Sequence, residues 1–122
     1  MEQQALINLD TLNRDSVLRA LSRHQGHENG IGISQVVREA TGHNSDKASE
    51  RRARDIISAL REEGTAICAS PSTGYYIAAT EEELEACCAW LRSRAMHSLR
   101  LESKMRRIAM PDLLNQLRFT EQ

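Results

Sequence analysis

Read along an α-helix, Lys47, Arg51, Arg54 and Ser58 step by four, three and four residues, which sets them in one stripe. Arg52 and Glu50 flank it. Phosphate contact asks for cations that reach an oxygen without being buried, and base reading favours the planar fork of arginine against guanine. Asn44 and Ser45, at the start of the same helix, are placed to give neutral hydrogen bonds to a phosphate at the positive end of the helix dipole. The alternative is a solvated face on which Glu50 and Asp55 balance the cations through pairs along the helix. The run ERRAR, inside a helix that follows another helix and a turn, favours contact with DNA.

Other chemistry has less to work with. The chain holds no glycine-rich phosphate loop, no nucleophile elbow and no strand-end carboxylate pair, so no enzyme is expected. His24, His27, His43 and His97 are scattered. Cys87 and Cys88 point about 100° apart on a helix and Cys68 falls on a hairpin, so the three read as small buried hydrophobes rather than zinc ligands. Neither a metal nor another cofactor is expected. Three cysteines, two of them adjacent, make a poor disulfide framework and suit a reducing cytoplasm. No apolar run approaches the roughly 20 residues that cross a bilayer, so no membrane partner is expected. The start MEQQALINLD lacks the basic residues and apolar block of a secretory signal. With 16 Lys and Arg against 17 Asp and Glu, a nucleic-acid surface must come from local clustering.

The elements that would position the cationic stripe follow from caps and periods. Residues 1–12 read as a lead-in. A first helix runs from Asn13 to about Arg23, with Val17, Leu18 and Leu21 apolar and Asn13 or Asp10 as its cap; HQGHENG stops it. Gly30–Ile33 suits a short strand, Ser34 an N-cap for the next helix, and Gly42 its stop. A third helix starts at Ser45 or Asp46 and runs to about Glu62, ending at Gly64. Its inward stripe is Ser49, Ala53, Ile56 and Leu60, with Ile57 beside it. TAICA and YYIAA, separated by SPSTG, form a hairpin on which one of Tyr75 and Tyr76 packs inward. Thr80 and Glu83 form a capping box for a helix with no breaker before Pro111, about 30 residues or roughly 45 Å long. A globule of some 75 residues is only about 25–30 Å across, so this helix should overhang its own domain.

The order helix, short strand, helix, turn, helix, hairpin brings a family into view. The segment GISQVVREATGHNSDKASERRARDIISALREEGTAICASPSTGYYIA resembles the winged helix-turn-helix DNA-binding domain of small bacterial and phage regulatory or replication proteins, over about residues 13–79. The resemblance implies a mainly α fold with a small β-hairpin wing, a third helix that enters the major groove, and a wing that brushes the flanking backbone. Ser45, Lys47, Glu50, Arg51, Arg52, Arg54 and Ser58 then belong to the reading helix, and Ser70, Ser72 and Thr73 to the wing. The wing departs from the family: SPSTG holds no Lys or Arg. Few phosphate contacts mean weak, salt-sensitive binding by one copy.

Residues 80–110 answer that weakness with a means of association. Leu84, Cys88, Leu91 and Ala95 step by four, three and four, and this portion can pack on the first helix. Beyond it the stripe continues through Leu99, Leu101, Met105 and Ile108. An overhanging apolar stripe must find a partner or bend back, and Leu91, Ala95, Leu99, Met105 and Ile108 are the expected contacts of a homodimer. The alternative is a break near His97 and an intramolecular hairpin. Arg92, Arg94, Arg100, Lys104, Arg106 and Arg107 surround a single Glu102, which suits DNA, an acidic protein partner, or a solvated coiled-coil flank. Residues 111–122 form a tail. The expectation is a cytoplasmic, non-enzymatic binder of double-stranded DNA, a transcriptional regulator acting as a dimer; a winged-helix protein adaptor in replication is the second reading.

Overall fold

The computed structural model describes residues 9–106. Its elements are α1 (Arg14–Leu21), α2 (Ile33–Thr41), α3 (Lys47–Glu62), β1 (Ile67–Ser70), β2 (Gly74–Ile77) and α4 (Glu81–Arg106), with 3₁₀ turns at Leu9–Thr11 and His27–Asn29. The architecture is mainly helical with a small two-stranded antiparallel sheet. Two compact units divide the chain between Glu85 and Ala86. No helix among the described residues is long and apolar enough to cross a membrane.

Two helices begin with the same device. The Asn13 side chain accepts from the Ser16 amide at 2.9 Å, and the Ser16 hydroxyl accepts from the Asn13 amide at 3.0 Å. Asp46 and Ser49 repeat the exchange at 2.8 Å in both directions. Each box satisfies backbone donors that the first turn leaves open, and its serine is buried. Gly42 closes α2 in the left-handed conformation, with φ +80°.

The first unit is closed by three helices over one core. Leu12, Val17 and Leu21 meet Val36 and Val37 of α2, Ala53, Ile57 and Leu60 of α3, and Ile31 and Ile67. Ile57, not Ile56, completes the inward stripe of α3; Ile56 is half-buried at its edge. The two differ by about 100° around the helix, and the core lies on the Ile57 side.

The hairpin pairs Ile67 with Ile77, Cys68 with Tyr76, Ala69 with Tyr75 and Ser70 with Gly74. Tyr76 is buried and meets the His27 ring edge-on, while Tyr75 packs at the margin of the main core. The expected strand at Gly30–Ile33 shrinks to one bridge: Ile31 donates to the Tyr75 carbonyl at 2.9 Å and accepts from the Tyr75 amide at 2.7 Å. The reason is that Gly32, rather than Ser34, is the N-cap of α2, so the helix claims Ile33. The bridge brings two backbones together so closely that a Cβ on Gly74 would stand 2.3 Å from the Ile31 carbonyl oxygen, and one on Gly30 2.7 Å from that of Thr73. Gly74 also holds φ +99°.

The helix α4 is continuous through His97, so the expected alternative of a break there is not what the chain adopts. Leu84, Cys88, Leu91 and Ala95, expected as a stripe that can pack on the first helix, are all exposed. Exposed Cys88 likewise departs from the reading of three buried cysteines; Cys68 is the buried one. Met105 is exposed, Leu99 half-buried, and Ile108 lies outside the described residues.

Candidate nucleic-acid interface

With Ser49, Ala53, Ile57 and Leu60 inward, α3 turns Lys47, Arg51, Arg54 and Ser58 to solvent. Their surroundings sort them. Arg54 lies 4.0 Å from a Glu50 oxygen one turn earlier, and the other Glu50 oxygen accepts from the Ser45 hydroxyl at 2.6 Å. Ser45, expected to serve a phosphate, thus gives its hydrogen to Glu50, and Glu50 partly neutralises Arg54. Arg52 is exposed, yet its Nε donates to the Leu12 carbonyl at 2.7 Å and so fastens α3 to the start of α1. Lys47 and Arg51 make no ion pair among the described residues. They are the two uncommitted cations of the stripe.

An open groove of about 690 Å³ lies beside them. Leu9, Asn13 and Arg14 form one wall; Lys47, Ala48, Arg51, Arg52, Asp55, Ile56 and Ala59 form the other. Its lining sets Arg14, Lys47, Arg51 and Arg52 against Asp55, with Leu9, Ala48, Ile56 and Ala59 between them. Arg14 is committed across the fold, with its Nη2 2.7 Å from a Glu63 oxygen. That hydrogen bond raises the Arg14 guanidinium above its ordinary pKa and holds the Glu63 carboxyl below the usual range. At the head of α3 the amide of Ser49 donates to Asp46 and lowers its carboxyl too, so the helix start carries a fixed negative charge. A phosphate approaching α3 therefore meets Lys47 and Arg51 on its side rather than bare amides at its tip.

The hairpin turn offers little. The Ser70 hydroxyl lies 3.1 Å from His27 Nε2 and 3.0 Å from the Ser72 hydroxyl, and accepts from the Ser72 amide at 3.2 Å. The Thr73 hydroxyl, expected to face a phosphate, is buried without a partner, because the close approach of Gly30 covers it. Ser72 remains exposed.

Two arrangements escaped the sequence reading because their partners are distant along the chain. His24 Nδ1 is 2.9 Å from the Asn29 carbonyl and Nε2 2.8 Å from Glu39 Oε1, so both ring nitrogens face acceptors. Burial pushes the Glu39 carboxyl up, but the hydrogen bonds from His24 and Gln35 outweigh it and leave the group below its ordinary pKa. Glu83 accepts from the amides of His27 at 3.0 Å and Ala79 at 2.8 Å, which hold its carboxyl low. Of the capping box expected at Thr80 one arm is seen, the bond from the Glu83 amide to the Thr80 hydroxyl at 3.1 Å, while the carboxylate accepts from Ala79 and from the loop before α2. Both arrangements tie elements together and lie away from the cationic stripe in sequence. Comparison of the chain with protein-family models, with curated proteins and with solved structures finds no match.

Proposed function

We propose that the chain is a winged helix-turn-helix protein that binds double-stranded DNA through α3, as a cytoplasmic transcriptional regulator without enzymatic activity. The observation that carries this reading is that Lys47 and Arg51 stand exposed and uncommitted on the side of α3 away from the core. The element order supports it: three helices followed by a hairpin whose second strand is bridged by Ile31. Arg51 suits the guanine edge and Lys47 a phosphate, with Arg54 held back in part by Glu50. Two cations make few phosphate contacts, so one copy binds weakly and two acting together supply what one lacks.

A second reading, a protein-binding adaptor in a replication machine, is favoured by the uncharged turn and its self-satisfied serines. A mobility shift against mixed genomic fragments across a salt series separates the two. DNA binding that fades steeply with salt supports the first reading; no binding at low salt leaves the adaptor. In the same assay Lys47→Ala/Arg51→Ala should fold normally and bind at least tenfold more weakly, since each such contact contributes about 1–3 kcal/mol. Unchanged binding would remove α3 from the interface.

A further inference from the structure

Two acids border the cationic stripe of α3, and each stands one helical turn from an arginine of that stripe. Glu50 precedes Arg54, whereas Asp55 follows Arg51. The order matters, because an acid on the N-terminal side of its cation pairs better along a helix than the reverse arrangement. The structure follows that preference. Glu50 is paired with Arg54, and no ion pair joins Arg51 to Asp55 among the described residues.

Glu50 is also held in place from outside the helix. The Ser45 hydroxyl donates to one of its oxygens at 2.6 Å, and only 27% of its side chain is exposed. The second oxygen faces Arg54 Nη2 at 4.0 Å, too far for a hydrogen bond. Arg54 is therefore drawn by charge alone. Its side chain is 54% exposed and spends no donor on a hydrogen bond among the described residues. The result is a cation within reach of solvent whose charge is nonetheless biased toward its own helix.

We propose that Glu50 is a specificity determinant of α3, one that holds Arg54 back from the phosphates of arbitrary sequences. This rests on the DNA reading of α3 and adds what limits it. Sequence-independent binding grows with the number of phosphates met by cations, whatever the bases are. Lys47 and Arg51 stay available for such contacts, and Glu50 withholds Arg54 from them. Arg54 leaves Glu50 only where the fit of α3 against the duplex brings it a closer acceptor than the carboxylate. Loose encounters at the wrong site lose that contact and a well-fitted one keeps it, so the difference between the two widens.

Fluorescence anisotropy of the full chain with a labelled random-sequence duplex, across a salt series, reads the effect. Glu50→Gln keeps an acceptor for Ser45 and removes the charge. It should bind this duplex about threefold more tightly or better, with the slope of log affinity against log salt steeper by about 0.9, the increment of one added phosphate contact. Arg54→Ala should change the parent by less than about twofold, yet abolish both effects in the Glu50→Gln background. Equal affinity and slope for Glu50→Gln and a parent that binds DNA overturn the proposal and leave the DNA reading standing. A gain that survives Arg54→Ala also overturns it, since Glu50 would then act on the duplex directly. Absence of binding at low salt by both the parent and Glu50→Gln removes the DNA reading, and the proposal with it.

Discussion

Within residues 9–80 Leu12, Leu21, Val36, Val37, Ile57 and Leu60 keep essentially no contact with water, whereas along α4 Leu84, Trp90, Leu91, Leu101 and Met105 stay wet. Both regions carry apolar residues at helical spacing. The difference is that α1, α2 and α3 each find two other elements to receive their stripe, whereas these side chains of α4 are exposed. Periodicity marks a surface that must be covered; it does not name the cover. In the first unit the cover is the same chain, so its stability is internal.

The largest test of that contrast is Gly74→Ala. A Cβ there meets a backbone oxygen at 2.3 Å in a left-handed conformation, and the first unit should lose on the order of 4 kcal/mol or more in urea unfolding. Gly42→Ala shares the positive φ but has open space, so it should cost only about 1–2 kcal/mol, isolating the clash from the dihedral. Next comes a matched pair of truncations. Leu60→Ala should cost about 2–5 kcal/mol, and Leu91→Ala, in a sample dilute enough to keep copies apart, less than about 0.5 kcal/mol. Equal losses would break the comparison. Asn13→Ala removes one arm of a capping box and should cost about 1 kcal/mol, without altering the mass of the assembly in solution.

The smallest effect concerns pH. Glu39 has a folded-state pKa below its unfolded value, so its contribution is complete above the ordinary carboxylate range and is lost as pH falls through the folded value. The stability of the first unit, followed by circular dichroism, should decline between about pH 5 and pH 3. Glu39→Gln should flatten part of that decline; an unchanged profile would show that the His24 contact contributes nothing.

What could be read from the residues alone was whatever depends on near neighbours. The cap positions (Asn13 or Asp10, Ser45 or Asp46), Gly42 and Gly64 as stops, and the hairpin around SPSTG all follow from bonds spanning a few residues. What could not be read depends on partners far along the chain. Ile56 and Ile57 are both apolar, and only the placement of α1 and α2 decides which one is inward. The bond from Arg52 to Leu12 spans 40 residues and that from Glu83 to His27 spans 56, and neither leaves a local trace. The cationic stripe was legible because it is a spacing. Its division into committed and free members was not, since the commitment of Arg52 depends on a distant carbonyl and that of Arg54 on how Ser45 and Glu50 are held.

The Glu83 carboxylate, shared between the His27 and Ala79 amides, makes the join between the first turn of α4 and the turn before α2 one that rests on charge. Each amide has its own oxygen, so a proton on one leaves the other to accept, and acid weakens this join without abolishing it.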